Sequence, residues 1–278
     1  MTWTDWFCAP GFNVHPAVYM LVAVAAVLLV AVSKGGFGGG VGALSVPLLL
    51  QTVPENGGGV IVGLWLPVLI ACDLCTLPHY PREWRLSAIL KMAPGTTLGI
   101  VAGFFLLGPV GDRGWLLNLG IGVISLGFVV LWAIRGWFGR RLAERPPWRP
   151  TWTVGTLTGL AAGVSTMLAH AAGSIVQMFV LPQKLPQREF VGSCARYFLV
   201  FNAFKVPFFL VSSSKAQLTW PAFRSSLWLF ALAPLGVWFG SWLNRRVSAV
   251  WFVRLVYFFL AVAGVKLVFD AVKVLLRA

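Results

Sequence analysis

Residues 33–50 read SKGGFGGGVGALSVPLLL: a lysine, six glycines within eight residues, then an apolar run. Before them, about 16–34, lies an apolar segment long enough to cross a bilayer, which takes roughly 20 residues of helix. After them, about 41–53, lies one that is too short. Glycine-rich backbone at membrane depth leaves N–H groups that protein, water or a ligand must meet. Where a helix is broken and restarts, its first N–H groups and the helix dipole favour an anion. The break therefore reads as an anion-binding element in a membrane protein, with Lys34, Gly38, Gly39 and Gly40 as candidate contacts. Small residues also let helices approach closely, and Gly99-x-x-x-Gly103 and Gly236-x-x-x-Gly240 are expected to do that.

The rest of the chain fits this setting. Of 278 residues, 58% are hydrophobic and 11% charged, with mean hydropathy +0.83. A soluble domain carries about a quarter charged residues. The composition excludes a soluble globular enzyme, a disordered tail and a disulfide scaffold. The 22 Lys and Arg against 8 Asp and Glu give a formal net charge of +14. Those basic residues sit between apolar runs, so they orient helices in a lipid bilayer rather than bind nucleic acid.

Candidate spans fall at about 16–34, 57–78, 86–108, 115–135, 152–169, 190–212, 222–243 and 250–275. Two abbreviated pieces fall at about 41–53 and 172–181. The expected fold is an all-α polytopic membrane protein of about ten segments. Residues 1–15 form an N-terminal extracytoplasmic segment without a signal peptide's basic start. Residues 16–138 and 151–278 form two transmembrane repeats joined by a basic linker, 139–150. Arg135, Arg140, Arg141, Arg145 and Arg149 place that linker in the cytoplasm. Alternation then puts the N-terminus outside a cytoplasmic (inner) membrane.

The halves resemble each other. Asp73-Leu-Cys-Thr-Leu-Pro78 matches Asn202-Ala-Phe-Lys-Val-Pro207, and Ala93-Pro94 with its glycines matches Ala233-Pro234 with its own. Each half also has an interrupted or re-entrant first pair, the second break being AGVSTMLAHAAGS from Ala162. Five segments per half give opposite orientations, the inverted-repeat plan of many secondary transporters. At the second break Ser165, Thr166, His170 and Gly173 supply hydroxyl, imidazole and backbone donors.

Ionisable residues within apolar segments point to function. Lys205 and Asn202 share one helical face and suit an oxyanion; snorkelling, or a pair with Asp73, is the structural alternative for Lys205. Asp73 and Arg196 are coupling or structural charges, and Lys266 is able to reach an interface. Cys72, Cys75 and His79 lie along one helix with spacing that holds a soft metal, which leaves open a soft-metal or other cation transporter, or a membrane-embedded thiol-handling protein. The pattern G-x-G-x-x-A at Gly38 lacks the strand and acidic partner of a dinucleotide site. No nucleophile–base–acid constellation is visible, so neither an enzyme nor a cofactor is expected.

The run KGGFGGGVGALSVPLLL resembles the first-half signature of the sulfite exporter TauE/SafE family, also called the 4-toluene sulfonate uptake permease family. HAAGSIVQMFVLPQKLPQREFVGSCARYFLVFNAFKVPFF is similar to its second-repeat pattern. The resemblance covers about 20–270. It implies a secondary transporter of sulfite, sulfonates or related sulfur-containing anions. STMLAHAAGS departs from the expected glycine-rich second break, so His170 marks a distinct preference. A proton or sodium ion is a candidate coupling ion. A homodimer is compatible with the sequence.

Overall fold

A computed structural model describes residues 4–8, 12–53, 58–111, 113–143, 149–212, 216–246 and 249–277. The described residues form helices α1 (Thr4–Phe7), α2 (Pro16–Phe37), α3 (Ser45–Leu50), α4 (Gly58–Thr76), α5 (Leu86–Ile89), α6 (Ala93–Gly111) and α7 (Gly114–Ala143), followed by α8 (Trp152–Ala169), α9 (Ala172–Val180), α10 (Gln187–Val211), α11 (Trp220–Ser226), α12 (Leu232–Asn244) and α13 (Ala249–Arg277). Among the described residues, five helical stretches are long and apolar enough to cross a membrane: Pro16–Phe37, Gly58–His79, Leu86–Leu107, Gln187–Val211 and Trp220–Asn244. Residues 144–148 of the basic linker, and 1–3 and 9–11 of the N-terminal segment, lie outside the described residues.

Both expected interruptions are present, and both end in the same way. Helix α2 starts with Pro16, whose fixed φ suits a first helical position. It ends at Gly38, φ 67°, and the N–H of Gly39 closes the turn on Ser33 O at 3.0 Å. Helix α8 starts at the cap Thr151, whose Oγ1 accepts from Val154 N at 3.3 Å. It ends at His170, φ 52°, and Ala171 N–H reaches back to Ser165 O at 3.4 Å. A left-handed residue at this point satisfies the last helical carbonyls. Glycine does this without strain, whereas a histidine there costs energy and is held by its side chain.

After the first break the chain forms a 3₁₀ turn, Gly40–Leu44, and α3. It then returns alongside α2, since Asn13 N–H donates to Thr52 O at 3.1 Å. After the second break, α9 and a 3₁₀ turn, Leu181–Gln183, lead to α5, where Gln183 Nε2 donates to Ala88 O at 3.1 Å.

Two of the expected spans contain a further interruption. Residues 86–108 comprise α5, a 3₁₀ turn at Leu90–Met92, and α6; residues 222–243 comprise α11, a 3₁₀ turn at Leu227–Ala231, and α12. In each case the new helix restarts next to a proline, Pro94 or Pro234. Proline lacks the N–H and fits a first turn better than a helix interior.

The most extensive helix contacts are α6 with α8, α2 with α12, and α7 with α13; α4 also packs on α10. The first two are glycine seams. A Cβ on Gly163 would lie 2.8 Å from Gly99 Cα, and one on Gly240 would lie 2.8 Å from Val32 Cα. A Cβ on Gly35 would lie 2.8 Å from Val237 Cα, and one on Gly36 would collide with Gly240 O. Gly35 and Gly36 therefore serve packing, and Gly38–Gly40 form the break. Without a water-driven hydrophobic effect between helices, such close van der Waals approach does much of the holding.

Candidate functional site

The two breaks meet. A Cβ on Gly173, at the start of α9, would collide with Gly39 O, and Ser174 Oγ donates to Gly40 O at 3.0 Å. The helices α4 and α10 close the other side. Between them lies a small cavity of about 20 Å³ lined by Lys34, Gly39, Gly42, Leu69, Thr166, His170, Gly173, Phe198 and Asn202. That volume holds about one water molecule.

Lys34 stands four residues before the Gly38 cap, and Thr166 four before the His170 cap. Both point into the space between α4 and α10. Lys34 Nζ forms a buried ion pair with Asp73 and lies 5.1 Å from the centre of the Phe198 ring. The other carboxylate oxygen of Asp73, Oδ2, accepts from Asn202 Nδ2 at 2.7 Å. Asp73 thus has a cation on one oxygen and an amide on the other, as a buried carboxylate requires.

Lys205 is fully buried and differently placed. Its Nζ lies 2.9 Å from Thr166 Oγ1, 3.3 Å from Thr166 O and 3.0 Å from His170 Nδ1. Among the described residues it forms no ion pair. His170 Nε2 lies 2.7 Å from Val62 O, and its ring stacks on Phe209 with centroids 5.9 Å apart. A carbonyl oxygen only accepts, so Nε2 carries the hydrogen. In the neutral ring Nδ1 is then the lone pair that faces Lys205.

Other expected site residues stand apart. Ser165 lines an apolar groove with Leu157, Leu160, Val164 and Ile175 instead of the polar cavity. One residue along a helix turns the side chain by about 100°, which separates Ser165 from Thr166. Arg196 clamps the turn after α4, donating to Tyr80 O and Gly192 O at 3.1 Å and to Pro81 O at 2.9 Å. Lys266 donates to Gln51 and lies 3.7 Å from Asp270, away from the cavity. Cys72 is buried, Cys75 half-buried, and His79 Nδ1 faces Cys75 O at 3.1 Å. Among the described residues, no three His, Cys, Asp or Glu side chains gather as a metal site would need.

Four residues missing from the sequence reading shape the site. Phe198 and Phe190 pack against the break: a Cβ on Gly39 would lie 2.9 Å from Phe198, and one on Gly38 2.6 Å from Phe190. Gln177 donates to Phe37 O and fills the space beside Gly40. Val62 contributes only its carbonyl. Of these, Gln177 alone leaves a trace in the sequence, as a lone amide in the apolar run SIVQMFV. Gly36, Phe37, Gln177, Leu181, Leu185, Gln187 and Phe190 line a vestibule of about 310 Å³. The chain passes from the vestibule wall at Phe37 to the cavity wall at Gly39 through Gly38 alone.

The arrangement offers ammonium, amide, hydroxyl and backbone groups around a small space between broken helices, a combination suited to a small oxyanion. No curated protein and no solved structure matches the chain. A family model described as sulfite exporter TauE/SafE matches residues 23–267, which takes in both breaks and the buried lysines Lys34 and Lys205. A multi-pass membrane protein with this span matched belongs to the sulfite exporter TauE/SafE family.

Proposed function

We propose that the protein is a secondary transporter that moves a small sulfur-containing anion, sulfite, a sulfonate or a related oxyanion, across the cytoplasmic membrane by alternating access. The observation that carries this reading is Lys205: a buried lysine with only neutral partners, at the crossing of two helix breaks. A buried ammonium without a counter-charge is costly. An anion that displaces water from the adjoining cavity and widens it as the repeats move supplies that counter-charge. Lys34, Thr166, His170, Gly39, Gly173 and Asn202 form the rest of the binding site, with Asp73 as the structural charge that holds Lys34.

Two inverted repeats provide the moving parts. Exchange of the halves maps the α2–α12 packing onto α8–α6, and the α4–α10 and α7–α13 pairs onto themselves. That correspondence supports the repeat; the arginines of residues 135–150 carry the orientation, with that segment in the cytoplasm and the N-terminus outside. Alternating access is then one repeat rocking against the other around the cavity.

A binding screen tests the reading. Purified protein is heated with sulfite, sulfate, thiosulfate, taurine or sulfoacetate. A ligand at about 100 times its Kd raises stability by about 2.7 kcal/mol through mass action. The expected result is a rise in Tm with one or more of these anions that is absent in Lys205→Met. No shift with any of them contradicts the reading.

A further inference from the structure

We infer that the anion travels with a proton, and that Lys205 carries it. The inference rests on the anion-transport reading above and adds the co-substrate.

The partners of Lys205 satisfy two protonation states equally well. As a neutral amine, its two N–H groups donate to Thr166 O and His170 Nδ1, and its lone pair accepts the Thr166 hydroxyl. As an ammonium, its three N–H groups donate to Thr166 O, His170 Nδ1 and Thr166 Oγ1. The change requires only that the threonine hydroxyl rotate, and hydroxyl rotors do so freely. In the ammonium state the Thr166 O–H is released to donate to an anion in the cavity, whose wall Thr166 forms. His170 does not compete for the proton. Val62 O fixes the hydrogen on Nε2. A second hydrogen on Nδ1 would point at Lys205 Nζ, so the pair accommodates one positive charge.

Charge balance selects between the states. The charged groups that act on Lys205 are Lys34 from α2 and Asp73 from α4; those that act on His170 are Lys205 and Lys34. Lys34 and Asp73 cancel each other as an ion pair. Cys72, also on α4 and buried, is a neutral thiol when protonated. With the cavity empty, neutral Lys205 leaves the site uncharged. When a monoanion enters, one proton delivered by hydronium or a buffer acid on the open side converts the amine to an ammonium, and the site is again uncharged. On the far side the anion and the proton leave together. On loading, the donor's bond to the proton breaks as N–H forms; on release, N–H breaks as water or buffer base takes the proton, and one positive charge moves with each negative one.

Calorimetry on the full-length protein in detergent tests this. Methanesulfonate, a monoanion throughout the working pH range, is titrated at one pH in two buffers of different ionisation enthalpy. The difference in heat gives the protons taken up per anion bound. The expected value is about one, by linkage between proton and anion binding. Sulfite is the second probe, after subtraction of the fraction needed to convert it to its monoanion.

Lys205→Arg places a permanent charge at the site. It is expected to bind the anion while proton uptake falls to about zero. His170→Gln keeps an acceptor for Lys205 and a donor for Val62 O; its anion affinity is expected to fall with the loss of a binding-site side chain, while the protons taken up per anion bound stay at about one. Anion binding without proton uptake in the wild type overturns the proposal and leaves the transport reading standing. Loss of uptake in a folded, anion-binding His170→Gln also overturns it, since the proton then resides on the ring. Binding of neither probe overturns the transport reading, and the proposal with it.

Discussion

Asn202 donates its amide Nδ2 to Asp73 Oδ2 at 2.7 Å, and the two residues open similar sequence motifs. Each lies five residues before a proline, Pro78 or Pro207. The first motif carries the acid and the second its neutral isostere. One carboxylate therefore serves both motifs, and of the buried lysines Lys34 and Lys205 it pairs with Lys34 alone.

Removal of that carboxylate strands Lys34. Asp73→Asn is expected to destabilise the protein by about 3–5 kcal/mol, the cost of breaking a buried ion pair by removing one partner. The double variant Lys34→Met/Asp73→Asn is expected to recover much of the loss, because no unpaired charge remains. Thermal unfolding of the single and double variants in detergent checks this. Equal Tm values for the two would show that the ion pair does not hold the site.

The glycine seams have a different sensitivity from glycines elsewhere. Gly163→Leu places a side chain where Gly99 Cα already stands, and is expected to lower the yield of folded protein sharply. Overpacking typically costs about 1–3 kcal/mol. A Cβ on Gly127 would meet nothing within 4 Å, so Gly127→Ala is expected to be neutral or mildly stabilising. Size-exclusion profiles and Tm values separate the two.

Two cavity glycines part stability from transport. Gly39 has φ 80°, and its Cβ would press on Phe198, so Gly39→Ala is expected to cost about 1–2 kcal/mol and abolish flux. Gly42 lines the same cavity but has only Val30 Cγ2 at 3.6 Å. Gly42→Ala is expected to keep its Tm and reduce flux by narrowing the cavity. Full flux in Gly42→Ala would remove it from the substrate path.

Outside the spans, Glu83 pairs with Arg188 at 2.8 Å and ties the turn after α4 to α10. Desolvation pushes its carboxyl up, but the hydrogen bond and charge of Arg188 prevail and hold it below the usual glutamate range. A depressed carboxyl contributes stability that is present above its unfolded pKa and is lost as pH falls through its folded one. Tm is therefore expected to fall in acid, below about pH 4, and Glu83→Gln to flatten that fall. An unchanged acid profile in Glu83→Gln would show that this pair does not link the two elements.

Lys34, Asp73, Asn202 and Lys205 were legible in the sequence because ionisable and amide groups stand out in apolar runs, where their cost demands a reason. The breaks were legible through Gly38–Gly40 and through the polar cluster ending at His170. Helix phase was not. Ser165 and Thr166 are adjacent and chemically alike, yet packing turns one to an apolar groove and the other to Lys205. The interruptions before α6 and α12 are not legible because Leu227–Ala231 is wholly apolar, and Leu90–Met92 carries only one polar residue, Lys91, without glycine or proline to mark a break. Phe190 and Phe198 were hidden for the same reason: an aromatic wall and an aromatic lipid contact have the same composition.

The most direct test of the account is sulfite flux through proteoliposomes made with the wild type and with Lys205→Met, at alkaline pH where uncatalysed leakage is small. Saturable flux is expected in the wild type. A loss of at least about tenfold is expected in Lys205→Met, because the anion then lacks its counter-charge and the Thr166 hydroxyl its partner, with Tm and elution volume retained. Flux in a well-folded Lys205→Met equal to that of the wild type would contradict it.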